Sequence, residues 1–487
     1  MTSIIDPIER GGSGGLSAWV GHLVDTVVSW PRAYRHAYRR APRRTVLLTI
    51  LVILILVYPL LNRFLLQPIS RGFPLPIPDD TTVVFMLIFA TMAVGLNIVI
   101  GFAGLLDLGY VAFYALGAYT AAYLASPHWS TLSIVLFTDL PAGFPGIHLP
   151  FFIIFWAAAL VAATFGVLLG APTLRLRGDY LAIVTLGFGE IVPIFFKNLV
   201  NVNFELGPIK LVNANITGGP LGINPIDAPS FFGIKFGVIN GFAPVYLAMA
   251  VVLLCIVIAR NLERSRMGRA WMAIREDEIA AEMMGVNTVR TKLLAFGLGA
   301  SFAGFAGALQ ASYQGATTSD FFMFATSILV VIMIILGGIG NIWGVILGAI
   351  VVQYVDKTLL GWVGQRLNDF GEASGNTFLE QINPSSFSFL LLGLALVAMM
   401  RFRPEGFLPS RQRAAELHSA PPDQVIASPG VTDDVIGFEQ PLEGGPGAAE
   451  LAELDPDAVD PNANVGRAEP RSGAEPDAID PRPEGDR

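Results

Sequence analysis

Ten apolar stretches, each about long enough to cross a lipid bilayer, constrain most strongly what this chain can fold into. In hydrocarbon every backbone N–H and C=O group must find a partner within the protein, and an α-helix provides these partners by itself. The sequence therefore predicts an all-α fold, a polytopic helical membrane protein with about ten transmembrane spans. We place the spans approximately at residues 45–62, 81–101, 105–125, 150–171, 179–200, 242–259, 292–312, 322–340, 342–357 and 386–400.

Composition and missing motifs exclude several classes of protein. Only 14% of the residues are charged, whereas soluble domains carry about 25%. The single cysteine, Cys255, excludes a disulfide framework and a multi-cysteine metal site. No lysine follows a glycine, so no phosphate-binding P-loop is present. We expect a chain that is not an enzyme and has no catalytic residues, metal site or cofactor. The histidines fall in termini or loops and are interpreted as solvated surface residues (His22, His36, His128, His148 and His418).

The distribution of charge predicts the topology and three regions. Placing the N-terminus in the cytoplasm puts 20 Lys and Arg residues before Ala414 on the inner side and 7 on the outer side, as the positive-inside rule expects. Ten spans then return the C-terminus to the cytoplasm. We predict a basic N-terminal arm (1–44), a transmembrane domain (45–403) and a tail (404–487). From Ala414 onward the tail has 17 acidic and 4 basic residues and 11 prolines, a composition typical of disorder.

Polar and glycine residues within the spans are candidates for a functional site. Carboxylates inside a bilayer are costly, so Asp107 and Glu190 are either functional or cap a broken helix and accept bonds from backbone amides. Glycine clusters at 101–117, 297–307 and 337–348 either let helices pack closely or mark discontinuous helices that line a path. Both alternatives stay open from the sequence. Long connections rich in Gly, Pro and Asn are expected on the outer side, at 126–149, 201–241 and 358–385.

The largest predicted cytoplasmic loop, 260–291, contains a stretch of strong helix formers that ends at Gly285. We predict a short amphipathic helix whose apolar face consists of Ala270, Ile274, Ala281 and Met284. Such a helix lies either on lipid or on a soluble partner. The acidic residues that it carries favour the partner over an anionic membrane surface.

Several ordered motifs resemble those of one transporter family. Glu278-Ile-Ala-Ala281, with Gly285 four residues later, resembles the coupling loop of ABC-importer permeases. The neighbouring and more distant blocks extend the likeness over about residues 81–408; they are Leu174–Ala182, Leu186–Ile191, Ile216–Ile223, Arg264–Trp271, Lys292–Gly304, Leu336–Asn341 and Phe402–Phe407. Together they resemble the LivM-type permeases of branched-chain amino acid ABC importers. Pro193 stands where that family often has arginine.

The resemblance implies a multi-pass permease subunit in the bacterial inner membrane that moves amino acids by alternating access. Its implied partners are two cytoplasmic ABC ATPase subunits, a second homologous permease, a periplasmic substrate-binding protein and membrane lipid, but not nucleic acid. The implied coupling-loop residues are Arg275, Glu278, Ala280, Ala281 and Gly285. Our candidates for the translocation path are Asn97, Gly104, Asp107, Tyr110, Glu190, Gly337, Gly338 and Asn341.

Other functions remain open from the sequence alone. Within the same family, a permease for urea, amides or other amino acids is the nearest alternative. Outside it, a stand-alone secondary transporter would need an ion gradient and no ATPase. A membrane-embedded enzyme would need a catalytic constellation, which we do not find in the sequence.

Overall fold

The computed structural model describes residues 57–66, 76–129, 133–135, 145–174, 179–200, 202–206, 209–231, 234–238, 241–374 and 384–408. The basic N-terminal arm, most of the first predicted span and almost all of the tail lie outside these residues. The described part of the chain thus consists of the second to tenth predicted spans, the end of the first and much of the connections between them.

Helices dominate the part of the chain that is described. In chain order they are α1 (Asp80–Asn97), α2 (Val111–Leu124), α3 (Phe151–Thr173), α4 (Asp179–Asn198), α5 (Ala243–Arg264), α6 (Arg266–Glu276), α7 (Glu278–Met283), α8 (Thr288–Gln314), α9 (Phe324–Gly337), α10 (Ile342–Tyr354), α11 (Leu360–Ser374) and α12 (Ser388–Phe402). Among the described residues, seven helical segments are long and apolar enough to cross a membrane, and α2 and α9 are shorter apolar helices. The helical membrane fold is confirmed, whereas the number of ten spans stays a prediction.

The largest difference from the predicted spans lies after α10. The chain continues through a π-helical turn, Val355–Leu359, directly into α11. Helix therefore extends to Ser374, well into the connection that we predicted to start at residue 358. The physical reason is that Leu360, Gly364 and Gly371 are buried at helical spacing, so the segment has a face that packs on the protein.

Helix α8 forms the centre of the molecule. It packs most extensively on α3 and α2, and glycines set its distance from both. A Cβ atom on Gly304 would lie 2.6 Å from the Ala158 carbonyl oxygen of α3, and one on Gly307 would lie 2.2 Å from the Tyr114 carbonyl oxygen of α2. Because α8 is continuous, the alternative that its glycines mark a broken helix is wrong, and they serve close packing instead.

Two neighbouring breaks interrupt the apolar helices. The first follows α1, where a π-helical turn, Ile98–Phe102, leads into the non-helical residues 103–110, and Gly104 has a φ of +70°. The second separates α9 from α10, where Gly338 and Gly340 have φ angles of +114° and +83°. Such backbone angles favour glycine because it lacks a Cβ atom. Both breaks lie at the end of the bundle that carries α6 and α7, which we name the charged end.

Short strands cover the opposite end of the bundle. β1 (Ala125–Ser126), β2 (Ser133–Val135) and β3 (Gly146–His148) form a sheet in the order β1-β3-β2, with β1 antiparallel and β2 parallel to β3. Two antiparallel pairs complete this end, β4 (Val202–Leu206) with β5 (Ile209–Ala214) and β6 (Ser230–Phe231) with β7 (Ile234–Lys235). From the sequence we expected an all-α fold with long connections rich in Gly, Pro and Asn here, so these strands were not predicted.

His148 contradicts our interpretation of the loop histidines as solvated. Its side chain is buried, and its Nδ1 atom lies 2.5 Å from the Asp227 Oδ2 atom. The two long connections fold onto each other, and the Asp227 N–H also donates to the Ala125 carbonyl oxygen. A polar ring enclosed in this way needs a partner, which the second connection provides.

Candidate functional site

The predicted amphipathic helix at the charged end is in fact two helices. Ser265 caps α6, because its Oγ atom accepts from the Gly268 N–H at 3.2 Å. Asp277 is extended and caps α7, and its Oδ1 atom accepts from the Ile279 and Ala280 N–H groups at 2.9 and 3.0 Å. Aspartate binds free backbone amides better at a helix start than in a helix interior, which explains the break. We refer to Ser265–Asn287 as the α6–α7 segment.

The apolar face that we predicted for this segment is only partly right. Ile274 and Ala281 are buried, and Ala270 is half-buried, whereas Met284 is 85% exposed. A different apolar patch faces outward, formed by Ile279, Met283 and Met284, and Ala280 is exposed beside it. The sequence-based prediction missed this patch because it assumed one continuous helix through Asp277, which places Ile279 and Met283 off the apolar face. The i, i+4 spacing of Ile279 and Met283 was the available signal.

Three features fix the α6–α7 segment to the rest of the chain. The buried Trp271 donates its Nε1–H to the Thr291 carbonyl oxygen at 2.7 Å. The Glu278 carboxylate lies 2.5 Å from the Lys292 Nζ atom at the start of α8. Gly285, with a φ of +86°, ends α7 as predicted and turns the chain into α8. Glu278 thus anchors the segment internally, while the apolar patch of Ile279, Met283 and Met284 stays exposed.

Arg275 joins the α6–α7 segment to the first break. Its guanidinium donates to the Gly101 carbonyl oxygen at 2.7 Å. Gly104 lies against the same side chain, because a Cβ atom there would be 2.8 Å from the Arg275 Cγ atom. The π-helical turn leaves the Gly101 carbonyl group available as an acceptor. A hydrogen bond from a charged donor to it is stronger than one between neutral groups.

Asn97 joins the first break to the second. Its buried Oδ1 atom accepts from the Gly340 N–H at 2.9 Å. Gly101 allows this approach, since a Cβ atom on it would lie 2.2 Å from the Asn97 Oδ1 atom and 2.8 Å from the Gly340 nitrogen. The two breaks are therefore in direct contact.

The second break is also bound to the end of the described chain. Asn341 caps α10 through the Trp343 N–H, and its Nδ2–H donates to the Leu408 carbonyl oxygen at 3.0 Å. The Leu408 N–H in turn donates to the Gly337 carbonyl oxygen at 3.0 Å. Gly338 lies so close that a Cβ atom on it would be 2.5 Å from the Leu408 carbonyl oxygen. Most of our path candidates thus meet at the charged end.

Asp107 and Tyr110 lie in the last part of the first break, directly before α2, and both are buried. The Asp107 Oδ1 atom accepts from the Gly109 N–H at 2.9 Å, while its Oδ2 atom has no partner among the described residues. Beside it is a cavity of about 10 Å³, large enough for about one water molecule. The Tyr110 hydroxyl donates to the Gly299 carbonyl oxygen at 2.8 Å, which ties this segment to α8.

Glu190 lies apart from the other candidates. It is exposed halfway along α4, on a face that it shares with Ile183, Gly187 and Ile194. No atom lies within 4 Å of a Cβ atom built on Gly187, so this face is open in the isolated chain. Glu190 neither caps a helix nor lies in the cluster at the charged end.

A second cavity, of about 240 Å³, opens at the opposite end beside the start of α1. Asp79, Lys357 and Trp362 line it. The side chains offer one carboxylate and one ammonium group, and the Lys357 Nζ atom is 3.1 Å from Asp356. The Asp79 carboxylate caps α1 by accepting from the Thr82 N–H at 3.2 Å, so both charged groups of the lining already have partners in the chain.

Comparison with known proteins places these features in a family. The family of branched-chain amino acid transport system permease components matches residues 80–400. The permease LivM of a high-affinity branched-chain amino acid transport system is 39% identical over 354 residues in Salmonella typhimurium, covering 68% of this chain and 70% of that protein. The same-named protein of Escherichia coli K12 is 40% identical over 344 residues, covering 66% and 68%.

A more distant relative is the permease LivH of the same kind of system in Salmonella typhimurium. It is 23% identical over 319 residues, which cover 64% of this chain and 89% of that protein. No solved structure matches the chain significantly. The match to the family includes both helix breaks and the α6–α7 segment.

Proposed function

This chain belongs to the family of branched-chain amino acid transport permeases, and we propose that it is the membrane-spanning subunit of a bacterial ABC importer for branched-chain amino acids. The observation that carries this proposal is the α6–α7 segment, two short helices that are fixed to the bundle through Trp271 and Glu278 and carry an exposed apolar patch. An exposed patch on a rigid support is a typical site for a protein partner.

The partner that suits this patch is a soluble ATPase subunit. The chain has no P-loop, so the energy for transport comes from other subunits. Ile279, Met283 and Met284 supply the apolar contacts, and the neighbouring acidic residues keep the segment away from anionic lipid. The charged end is then the cytoplasmic side of the inner membrane, and the basic residues of the sequence agree with this orientation.

Movement of the ATPases reaches the membrane through Arg275. When the α6–α7 segment shifts, the bond from Arg275 to Gly101 transfers that shift to the first break, and Asn97 passes it to the second. Helix breaks next to packed helices allow discrete rearrangements because few backbone bonds need to be exchanged. The cavity at Asp107, about 10 Å³, is too small for an amino acid, so it is not part of the proposed path.

The translocation path runs along the open face of α4, against a second permease subunit. Glu190 in this face would be costly against lipid but is tolerated beside water or a protein partner. LivM and LivH are separate permeases named for the same kind of transport system, which supports a pair of related chains. Water and substrate between the two chains would solvate the carboxylate.

Uptake of labelled leucine and labelled urea by cells with and without this chain tests the proposed function. We expect leucine uptake to disappear with the chain and to be blocked by vanadate, because ATP hydrolysis drives it, while urea uptake stays unchanged. Loss of urea uptake alone would transfer the chain to the urea permeases of the same class. Uptake of leucine that follows an ion gradient and ignores vanadate would contradict the ATPase partnership.

A further inference from the structure

The segment Arg403–Leu408 connects the end of α12 to the second break, and we name it the strap. It begins with a β-turn in which the Gly406 N–H donates to the Arg403 carbonyl oxygen at 3.1 Å. Proline at the second position and glycine at the fourth suit such a turn, and Gly406 has a φ of +83°. The mechanism proposed above gives the strap no role.

The backbone of the strap completes the end of α9. The last carbonyl groups of a helix have no partner within the helix itself. Here the Phe407 N–H donates to the Leu336 carbonyl oxygen at 2.8 Å, and the Leu408 N–H donates to the Gly337 carbonyl oxygen at 3.0 Å. Removing a donor from such a carbonyl group costs more than the bond itself contributes, so the strap is a fixed part of the second break.

Glycines bring the strap into backbone contact with both helices of the break. A Cβ atom on Gly406 would lie 2.7 Å from the Gly338 Cα atom, and one on Gly344 of α10 would lie 2.9 Å from the Leu408 carbonyl oxygen. The strap also attaches α12, since only 11% of the most apolar stretch of Pro384–Phe402 is buried in this chain. The second break therefore cannot change shape without displacing the strap.

The second break is held by two separate elements. Asn97 of the first break accepts from the Gly340 N–H at 2.9 Å, and one residue later the Asn341 Nδ2–H donates to the Leu408 carbonyl oxygen of the strap at 3.0 Å. A displacement that enters at Gly340 thus meets a break whose neighbouring residues are fixed to the end of α12.

We infer that the strap is a positioning element of transport, which makes α9, α10 and α12 move together when the first break pulls on Gly340. The inference rests on the proposed function, in which the ATPases act at the charged end. A few residues between helices can absorb a displacement through their φ and ψ angles, and the glycines of the second break would do so if they were not held. ATP hydrolysis would then continue with little uptake.

Asn341→Asp tests the inference at the break. Its carboxylate can still cap α10 by accepting from the Trp343 N–H, because aspartate caps helices as well as asparagine does, but it has no N–H for the Leu408 carbonyl oxygen. We expect the ratio of leucine uptake to ATP hydrolysis in proteoliposomes to fall by roughly fivefold, while the ATPases still co-purify.

Asn215→Asp is the matched control, because the exposed Asn215 accepts from the Gly218 N–H at the opposite end of the bundle. It makes the same exchange of amide for carboxylate, keeps its acceptor and does not touch the strap. The wild-type ratio of uptake to hydrolysis should persist.

Gly406→Ala tests the inference from the strap itself. The added Cβ atom collides with Gly338 and disfavours the positive φ, so the strap should loosen and the ratio should fall as in Asn341→Asp. Gly393→Ala in α12 is the control, since no atom lies within 4 Å of a Cβ atom at that position.

Amide hydrogen exchange of Phe407 and Leu408, followed by mass spectrometry, shows whether the strap has loosened. We expect slow exchange in the wild type and faster exchange in Asn341→Asp and Gly406→Ala. Faster exchange with a wild-type ratio of uptake to hydrolysis would reduce the strap to a structural role and overturn the inference. So would exchange that is already as fast in the wild type. In either case ATP-driven leucine uptake by the wild type would still uphold the proposed function.

Discussion

At the scale of single residues, Arg275 has the most consequential position in the described chain. It is the side chain by which the α6–α7 segment reaches the Gly101 carbonyl oxygen, and Gly104 makes room for it. The family resemblance assigns Arg275 to the coupling loop. Nothing in the sequence indicates its contact with Gly101, because Arg275 and Gly101 are 174 positions apart.

We predict that Arg275→Gln uncouples ATP hydrolysis from transport. Loss of a hydrogen bond from a charged group weakens the connection by about 1.5–3 kcal/mol, so leucine uptake should fall by roughly tenfold or more. Co-purification of the ATPases should persist because the apolar patch is untouched. Uptake and ATPase activity are measured together in proteoliposomes.

Arg266→Gln is the matched control, since Arg266 lies in the same helix and is exposed. It should keep the wild-type ratio of transport to hydrolysis. An equal loss of uptake in both variants would mean that transport depends on the total charge of the α6–α7 segment. The hydrogen bond from Arg275 to Gly101 would then not be the connection that couples hydrolysis to transport.

At the scale of elements, Asp277 decides which residues of the coupling loop meet a partner. A single helix would have presented Ala270, Ile274, Ala281 and Met284 together. The cap at Asp277 starts a new helix, so Ile279, Met283 and Met284 face outward while Ile274 and Ala281 are buried. Glu278, which the resemblance assigns to the coupling loop, forms an ion pair with Lys292, and 40% of its side chain stays exposed.

We predict that Ile279→Asp and Met283→Asp each weaken ATPase binding by roughly tenfold or more. Each change removes an apolar side chain whose burial contributes about 1.5–3 kcal/mol and places a charge in the interface. Affinity is measured by titrating purified ATPase onto the permease in nanodiscs. Neither position is buried, so thermal unfolding of the permease should be unchanged.

Ile279→Leu serves as the conservative control and should bind the ATPase normally. Binding at wild-type affinity by both aspartate variants would show that the ATPase contacts another surface.

At the scale of the whole molecule, burial differs sharply between helices. Of the most apolar 18-residue stretch, 78% is buried within this chain in α8 and 83% in Asp80–Phe102, whereas the shares are 28% in Tyr180–Asn198 and 11% in Pro384–Phe402. Poorly buried helices contact lipid or other subunits. Of these two, α4 carries a carboxylate in its middle, which is why we assign it to the subunit interface and the path.

We predict that Glu190→Leu keeps the chain folded and inserted but impairs uptake. Replacing a carboxylate at mid-helix by leucine makes insertion more favourable by about 3 kcal/mol, so expression should not fall. Leucine uptake should fall severalfold because the path loses its polar group, and Glu190→Asp should recover most of it. Ile194→Leu, on the same face, is the control and should transport normally. Normal uptake by Glu190→Leu would place this face against lipid.

The amino-acid sequence alone predicted the class of fold and the positions of most helices, because apolar stretches of bilayer length have one stable outcome in hydrocarbon. Its motifs indicated the family. The glycine clusters at 101–117 and 337–348 coincide with the two helix breaks, but the sequence left close packing open as the alternative at both. The predictions of a basic N-terminal arm and a disordered tail concern residues that lie almost entirely outside the described part of the chain, and they stay predictions.

The contacts that the residues of the coupling loop and the helix breaks make could be seen only in the folded chain. The structure showed that Arg275 binds at Gly101, that Asn97 joins the two breaks and that Glu278 is an internal anchor. The physical reason is that these contacts join residues far apart in the chain or depend on one cap and a few glycine angles. Periodicity in a single sequence records which face of a helix is apolar, but not which distant backbone group that face meets.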